Sequence, residues 1–301
     1  MSTISIRHLS KSYGAFLAVN DVSIDIPSGC VFGLLGPNGA GKTTTFKCML
    51  GLARPSSGEV LYGDRPLAPA TFEDLTYVPE RSVLYEWMTI RDHLELQRRS
   101  YARYNPNRAA DLLALFGLDA RKRVRSTSKG MRTALAIVLA FSIEPKILVL
   151  DEPTSGLDPV NQRAVLKLII DAAAGGTTVI FSSHQIGQVE RAAEHIAIMQ
   201  NGGLVLTGSV DDLKYEQKIV EGIFETDGFS TNGFGGDARI SRVEKTGRIL
   251  RLTVRRDSDS IASDLNGMGA QSVRVVDLNL EDIFLNAVDP SQQTADVVEG
   301  A

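Results

Sequence analysis

The nine residues GPNGAGKTT, at positions 36–44, decide the fold of this sequence. They fit the pattern G-x-x-x-x-G-K-[ST] and lie between a buried apolar strand and a helix, which disfavours the alternative of a chance glycine-rich turn. The glycines let backbone N–H groups surround a β-phosphate, while Lys42 can bridge β and γ oxygens and the Thr43 hydroxyl can hold Mg²⁺. The pattern predicts a nucleotide-binding loop made by Gly36, Pro37, Asn38, Gly39, Ala40, Gly41, Lys42, Thr43 and Thr44.

Two carboxylates follow one another at the end of the apolar run ILVLD, residues 147–151. Asp151 ends that run, where an ionised side chain is costly unless it is paired or lies near a metal, and Mg²⁺ held by Thr43 would compensate it. Glu152 comes next and is well placed to orient or deprotonate an attacking water. The alternative for Glu152 is a surface carboxylate at a strand end. The pattern predicts hydrolysis of the bound nucleotide.

Composition limits the classes of partner. The chain has 301 residues, enough for one large domain and a smaller one, and its formal net charge of -4 makes nucleic acid an unexpected partner. Cys30 and Cys48 lack metal-ligand spacing and are expected to be reduced core thiols in a cytosolic setting. No apolar run approaches the roughly 20 residues of a membrane helix, so we expect the chain not to span a membrane, although a partner could hold it there.

The order of apolar runs predicts the fold class. Buried runs at 31–36, 147–151 and 178–183 alternate with helical patterns, which indicates an α/β fold with a mostly parallel sheet. The run ISIRHLS (4–10) alternates apolar and polar residues like a half-exposed strand. Residues from about 85 to 140 lack strand signals and are interpreted as a helical insertion.

The composition changes near the end of this pattern. Strand-like runs at 248–254 and 272–278, together with glycine-rich turns, indicate a small α+β domain. The last residues are polar and lack periodicity, so we expect a flexible tail. The predicted organisation is a first domain at 1–217, an accessory domain at 218–289 and a tail at 290–301.

The segment TSKGM, residues 127–131, admits two interpretations. Ser128 is a good N-cap for the apolar helical pattern at 134–141, and a helix N-terminus can hold an anion. The segment is either a basic turn that only caps a helix, or a site that binds a phosphate group of another molecule. Spacing alone does not decide between them.

In order and spacing, these motifs resemble those of the nucleotide-binding subunits of ATP-binding cassette (ABC) transporters, over about residues 3–215. GPNGAGKTT and ILVLDEP match the two Walker motifs, and TSGLD (154–158) is similar to the D-loop, with Asp158 as its carboxylate. His184 in FSSH is similar to the switch histidine near the γ-phosphate. The resemblance implies a P-loop NTPase cassette with antiparallel β and helical subdomains, and ATP and Mg²⁺ as cofactors. The catalytic residues that it implies are Lys42, Glu152 and His184.

The resemblance also assigns residues around the nucleotide. Tyr13 stands where the family has an aromatic that stacks on adenine, with a core tyrosine as the alternative. Glu80, in TYVPE, replaces the Q-loop glutamine and is expected near the metal, because a carboxylate can ligate Mg²⁺ as an amide oxygen does while adding negative charge. A loop carboxylate is the alternative for Glu80. The implied metal-proximal residues are Thr43, Asp151 and Glu80.

TSKGM stands where the family has the signature L-S-G-G-Q, which reaches across a head-to-tail dimer to the γ-phosphate of the other subunit. Ser128 and Gly130 match the contacting positions, whereas Lys129 and Met131 depart from the signature. Lys129 adds a positive charge that faces a triphosphate, and also bulk where glycine allows close approach. Two alternatives remain: TSKGM still binds the γ-phosphate of the other subunit, or it forms a degenerate site that is paired with a better subunit. Either one needs a second ATP-binding subunit, with a second copy favoured over a different chain.

The run LEDIFL (280–285) resembles the close of C-terminal extensions on ATPases of the ABC-2 type, the multidrug and antibiotic exporter branch. Alternatively, Ile283, Phe284 and Leu285 simply pack a terminal helix onto the small domain.

Trp87 and Met88 are the residues expected to dock a membrane partner, unless they are buried within the helical block. The resemblance implies an ATP-hydrolysing subunit that drives transport, specifically export, through a separate integral membrane permease at the cytoplasmic side of the cell membrane. The alternative is a soluble ABC-type ATPase that acts as a nucleotide-gated assembly or regulatory factor without transport.

Overall fold

The structure is a computed structural model that describes residues 2–68, 71–81, 83–231 and 233–288. Its contacts divide the chain into two units, of which the first ends at Thr207 and the second begins at Gly208. The predicted tail at 290–301 lies outside the described residues. The predicted domain limits stay predictions.

Helices and strands alternate through much of the chain. The strands are β1 (Ser2–Tyr13), β2 (Phe16–Pro27), β3 (Val31–Leu35), β4 (Ser57–Tyr62), β5 (Arg65–Pro66), β6 (Leu75–Val78), β7 (Ile147–Asp151), β8 (Thr178–Ser183), β9 (His195–Gln200), β10 (Gly203–Ser209), β11 (Lys218–Ile223), β12 (Ile240–Thr246), β13 (Ile249–Val254) and β14 (Ser272–Asp277). The helices are α1 (Lys42–Met49), α2 (Thr71–Asp74), α3 (Ile90–Ser100), α4 (Pro106–Leu115), α5 (Lys129–Phe141), α6 (Pro159–Ala174), α7 (Ile186–Ala192), α8 (Val210–Glu216), α9 (Ser258–Gly267) and α10 (Leu280–Val288). Among the described residues, no helix combines the length and the apolar character needed to cross a membrane.

The core of the first unit is a six-stranded sheet in the order β10-β9-β3-β8-β7-β6. Strands β9, β3, β8, β7 and β6 run parallel. Every residue of β3 and β7 is buried, which suits continuous apolar runs in a parallel sheet that helices cover. Helices α6 and α7 pack on β3 and β8, and α1 packs on β7. The predicted α/β fold with a mostly parallel sheet is confirmed.

The antiparallel and helical subdomains are also present. Strands β2, β1, β4 and β5 form an antiparallel sheet in that order, and α3 and α4 both pack on α5. Helix α3 begins with a capping box between Thr89 and Asp92. Helix α4 begins where the Asn105 side chain accepts a hydrogen bond from the Arg108 N–H, with Pro106 in the first turn. These caps fix where the helices of the block start.

The parallel alignment brings the ends of three strands together. Leu35, which ends β3, pairs with Ser183 of β8, and Asp151, which ends β7, pairs with Ser182. The loop after β3 therefore lies beside the residues that follow β7 and β8. In open α/β sheets, ligands bind at this edge, beyond the carboxyl ends of the strands.

The second unit is a small α+β fold. Its antiparallel sheet has the order β12-β13-β11-β14, and α9 packs on β11 and β14. The core of this unit includes Val220, Leu250 and Leu252, all fully buried. In α10, Ile283 is fully buried whereas Leu285 is 55% exposed. Only part of the run LEDIFL therefore packs into the unit.

Candidate nucleotide site

The loop at residues 36–41 joins β3 to α1 in a conformation that requires glycine. Gly39 has a φ of +82°, and nothing lies within 4 Å of the position that a Cβ would take, so the loop borders open space. Gly41 has a φ of +104°, and its Cβ would lie 2.6 Å from the Ala18 carbonyl oxygen. The exposed residues at the tip of the loop are Pro37, Asn38 and Gly39. The loop leaves room for a phosphate beside the N-terminus of α1.

Lys42 is buried at the start of α1, where its side chain is 6% exposed. Its Nζ donates to the Gly36 carbonyl at 2.7 Å and to the Pro37 carbonyl at 3.2 Å. It also lies 3.6 Å from Glu152 Oε1. The ammonium group therefore stands between the phosphate loop and the second acidic residue of the site.

Asp151 is held by two hydroxyl groups at the end of β7, where it is 1% exposed. The Thr43 hydroxyl donates to Oδ2 and the Ser182 hydroxyl donates to Oδ1, each at 2.6 Å. Ser182 Oγ also accepts from the Glu152 N–H at 2.9 Å. The sequence analysis missed Ser182, and the one signal that points to it is its position in β8 opposite Asp151.

Glu152 lies in a strained and buried position. Its φ of +50° falls in the left-handed region, which costs a non-glycine residue about 1–3 kcal/mol, and it is 8% exposed. Oε2 lies 2.9 Å from His184 Nδ1, which donates because a carboxylate only accepts. Oε1 is buried and has no hydrogen-bond partner. The alternative of a surface carboxylate is wrong.

A buried carboxylate oxygen that accepts no hydrogen bond is a sign of a missing ligand, even though an ammonium lies 3.6 Å away. Glu152 Oε1 and the nearby Lys42 ammonium, together with the open space at Gly39, fit a bound triphosphate and an attacking water. The Thr43 hydroxyl and the Asp151 carboxylate are the oxygen donors that could hold Mg²⁺. The structure thus brings together four residues predicted from separate parts of the sequence.

Glu80 follows β6 and is exposed. Burial, then the Asp151 carboxylate and Glu80, raise the pKa of Tyr77 above its ordinary value, so this phenol lies near both acidic groups. Among the described residues, no hydrogen bond or ion pair joins Glu80 to Thr43 or Asp151, and a contact of Glu80 with a metal stays a prediction.

Tyr13 is an exposed residue at the end of β1, where it is 49% exposed. Its neighbour across the hairpin, Phe16, is 64% exposed. The Lys11 ammonium lies 4.9 Å from the centroid of the Tyr13 ring. The alternative of a core tyrosine is wrong, and the ring is free to stack on a base.

TSKGM caps α5, as its sequence predicts. Ser128 Oγ accepts from the Met131 N–H at 3.2 Å, and among the described residues no hydrogen bond or ion pair joins Ser128 or Lys129 to the phosphate loop of the same chain. A Cβ on Gly130 would lie 2.8 Å from the Gly156 carbonyl oxygen. Conversely, a Cβ on Gly156 would meet the Lys129 stem at 3.2 Å. The segment therefore packs closely on its own D-loop.

Asp158 ends the D-loop and is the N-cap of α6. Its carboxylate accepts from the Val160 and Asn161 N–H groups at 2.9 and 3.0 Å. These bonds, from Asn161 first, lower the pKa of Asp158. The described contacts give this carboxylate a capping role, and its contact with a nucleotide stays a prediction.

Known proteins share this sequence and fold. Residues 19–155 match the ABC transporter family. The ABC transporter ATP-binding protein YtrB of Bacillus subtilis (strain 168) is 28% identical over 285 residues, which are 94% of this chain and 97% of that protein. Nod factor export ATP-binding protein I of Cupriavidus pinatubonensis (strain JMP 134 / LMG 1197) is 30% identical over 292 residues, 94% of this chain and 89% of that protein. A solved ATP binding subunit of an ABC transporter has a TM-score of 0.65 and 31% identity, and the match covers 71% of this chain and 92% of that one.

The phosphate loop, the paired acidic residues and the parallel sheet define a P-loop ATPase cassette. With these relatives, the chain belongs to the ATP-binding proteins of ABC transporters. Such a protein binds ATP and hydrolyses it to drive transport. The predicted family, ATP binding and ATPase activity are confirmed, and the relatives give no support to the alternative of a regulatory factor without transport.

Proposed function

We propose that this chain hydrolyses MgATP at the edge of its parallel sheet, with Glu152 as the base, and thereby drives export through a separate membrane permease. The observation that carries the proposal is the Glu152 carboxylate, which is buried, bonded to His184 through one oxygen and without a hydrogen bond at the other, which lies 3.6 Å from the Lys42 ammonium. A carboxylate oxygen that accepts no hydrogen bond is suited to accept a proton from water.

Each catalytic residue has a distinct task. Lys42 would exchange the Gly36 and Pro37 carbonyls for phosphate oxygens and stabilise their negative charge. Glu152 would orient the attacking water and accept its proton through Oε1. His184 holds Oε2 and so fixes the orientation of the carboxylate, and its exposed ring could also contact the γ-phosphate.

Thr43 and Asp151 fit Mg²⁺, because that ion usually binds through one or two protein oxygens together with phosphates and water. When bound, Mg²⁺ neutralises charge on the phosphate oxygens. Ser182 keeps Asp151 in place from the side opposite Thr43. Glu80 is proposed to lie near the same ion, on the support of its effect on the pKa of Tyr77.

The remaining predicted contacts concern the adenine and a second subunit. Tyr13 is proposed to stack on adenine, and its exposure supports this role. Ser128 and Gly130 are proposed to contact the γ-phosphate bound by a second copy of this chain, and Asp158 to belong to the same dimer contact. The support is that Ser128 and Lys129 make no described polar contact with the phosphate loop of their own chain, which holds one such loop.

The permease is proposed to dock at the segment 83–94 and the adjoining groove, which would hold the chain at the cytoplasmic side of the cell membrane. Trp87 is 70% exposed and Met88 is half-buried, so burial of Trp87 within the helical block is wrong. An apolar groove of about 410 Å³ lies beside this segment and includes Val83, Phe72 and Leu52. Exposed aromatic and methionine side chains suit an interface core.

The direction of transport is proposed from two likenesses. LEDIFL at 280–285 resembles the C-terminal extensions of the exporter branch, and a relative that aligns with 94% of this chain is described as a Nod factor export protein. Residues 218–289 are proposed to act as an accessory domain of the ATPase.

The change Glu152→Gln tests the proposed function. Glutamine keeps the size of the side chain but cannot accept a proton from water, so we expect MgATP to bind while kcat falls by roughly 10²-fold or more. Turnover is measured as phosphate release, and binding is measured separately by calorimetry. Glu73→Gln, which alters an exposed carboxylate on α2, is the matched control and should keep wild-type turnover. Wild-type hydrolysis by Glu152→Gln would refute the assignment of the base.

A further inference from the structure

A network of amide side chains, with the buried Gln188 at its centre, joins the segments that carry Glu152 and His184. Gln188, on α7, is 8% exposed. Its Oε1 accepts from the Thr154 hydroxyl at 2.6 Å. Its Nε2 donates to Gln185 Oε1 at 2.8 Å and to Gln162 Oε1 at 3.3 Å. One side chain therefore joins three different segments of the chain.

The direction of these hydrogen bonds is set by a backbone carbonyl. Gln162 Nε2 donates to the Leu157 carbonyl at 3.0 Å, so Gln162 Oε1 is the atom left to face Gln188. Gln188 must then present its NH₂ group on that side and its oxygen to the Thr154 hydroxyl. Both amide hydrogens and the amide oxygen have partners. Glutamate at this position could accept from Thr154 but could donate to neither glutamine.

The network ties together the two segments that carry the proposed catalytic pair. Thr154 lies two residues after Glu152, and Gln185 directly follows His184. Glu152 and His184 are also joined directly, through the 2.9 Å contact between Oε2 and Nδ1. Gln188 is thus a second connection between the same segments.

We propose that Gln188 is a positioning residue for ATP hydrolysis, which holds the Glu152 and His184 segments in register through its hydrogen bonds to Thr154 and Gln185. This inference rests on the proposed roles of Glu152 and His184. Because Thr154 and Leu157 both belong to the TSGLD segment, the same network anchors the D-loop. Small displacements of positioned groups cost much more in rate than in binding.

The change Gln188→Leu removes all three hydrogen bonds at similar volume, and Gln188→Glu removes only the two donated ones. We expect kcat for MgATP hydrolysis to fall by about tenfold or more in Gln188→Leu while KM stays within about twofold of the wild type, because the lost contacts matter in the transition state. Gln188→Glu should fall between Gln188→Leu and the wild type. Arg191→Ala, an exposed change on the same helix, is the control and should keep wild-type kcat.

Changes at Thr154 test whether Gln188 acts through its hydrogen bond to the Thr154 hydroxyl. Thr154→Val should lower kcat, whereas Thr154→Ser keeps the hydroxyl and should lower kcat less. The double variant Thr154→Val with Gln188→Leu should have about the same kcat as Gln188→Leu alone, because the effects of residues that act as a unit are not additive.

The outcomes separate this inference from the proposed function. If Glu152→Gln retains turnover, the proposed function fails. If Glu152→Gln is inactive but Gln188→Leu keeps wild-type kcat, only the positioning role is overturned. It is also overturned if Gln188→Leu and Gln188→Glu raise KM or lower the melting temperature in proportion to kcat, because that pattern belongs to a residue needed only for folding.

Discussion

At the scale of single residues, Ser182 holds together the two acidic positions of the site. Its hydroxyl donates to Asp151 Oδ1 and accepts from the Glu152 N–H, and the residue is fully buried. Ser182→Ala removes the hydroxyl that bonds both Asp151 Oδ1 and the Glu152 N–H. Because each buried group that loses its partner costs up to about 1–3 kcal/mol, we expect the free energy of unfolding to fall, and kcat to fall as well. Urea unfolding and phosphate release measure the two effects.

Ser142→Ala is the matched control for that change. Ser142 is equally buried, but its hydroxyl donates to the Val138 carbonyl, which also accepts the Ser142 N–H. The same hydroxyl lies 3.4 Å from the Leu139 carbonyl. Losing it leaves the Val138 carbonyl paired with the Ser142 N–H and unpairs no charged group, so stability should fall less than in Ser182→Ala and kcat should stay near wild type. Retention of wild-type kcat by Ser182→Ala would mean that Thr43 alone suffices to hold Asp151.

Cys30 and Cys48 are free and buried, which confirms the expectation of core thiols. Burial raises the pKa of the Cys30 thiol from 9.0 to about 11, with the Glu194 charge adding to the effect, and burial also raises that of Cys48. At pH 8 the Cys30 thiolate fraction is then about one in a thousand. We expect no reaction with a disulfide reagent at pH 8 until urea unfolds the protein, when two thiols should be titrated.

The raised pKa of Cys30 also determines how its contribution to stability changes with pH. The unfolded Cys30 thiol ionises near pH 9 and the folded thiol near pH 11. As pH rises above 9, ionisation therefore favours the unfolded state and the contribution of this residue to stability falls. Rapid modification of either thiol in the folded protein at pH 8 would contradict the burial argument.

At the scale of elements, the segment between β6 and α3 presents an exposed aromatic pair. Tyr85 and Trp87 are 53% and 70% exposed, with ring centroids 5.8 Å apart. Since neither ring is in the core, Trp87→Ala should leave basal hydrolysis unchanged. It should reduce co-purification with the membrane permease by tenfold or more, because truncation of a central aromatic in an interface costs about 2 kcal/mol or more of binding free energy. Affinity purification from solubilised membranes measures the effect.

Leu115→Ala is the control for Trp87→Ala. Leu115 ends α4 in the same helical block and is 51% exposed, but it lies outside the segment 83–94 at which docking is proposed. This variant should co-purify like the wild type. Equal recovery of permease by Trp87→Ala and by wild type would move the docking site elsewhere on the cassette.

Elements with continuous or strongly periodic patterns could be predicted from the sequence. The buried runs of β3 and β7 indicated parallel strands, and Ser128 indicated a helix start, because each signal is local. The contacts of Ser182 with Asp151 and of Gln188 with Thr154 could not be predicted from the sequence. Each depends on the pairing of segments about 30 residues apart in sequence, and a serine or glutamine in isolation carries no signal of it.

At the scale of the whole molecule, the chain holds one phosphate loop and a signature-like segment that makes no described polar contact with it. The close approach of Gly130 to Gly156 fixes that segment on the D-loop of its own chain, and Lys129 lies over it with an exposed side chain. A positive charge at a helix N-terminus adds to the attraction for a triphosphate. A second ATP-binding subunit, proposed above to be another copy of this chain, would bring such a phosphate to TSKGM.

We therefore expect Glu152→Gln to change from monomer to dimer on addition of MgATP, because slow hydrolysis leaves the nucleotide in place to join the two copies. Light scattering after gel filtration measures the mass with and without MgATP. Adding Lys129→Glu should abolish the dimer while ATP binding persists, since the charge that faces the triphosphate is reversed, whereas Lys167→Glu, an exposed charge reversal on α6, should not. If Glu152→Gln binds ATP yet stays a monomer, Lys129 and Met131 have altered the segment too far for it to clamp alone, and a different ATPase subunit or the permease must supply the dimer.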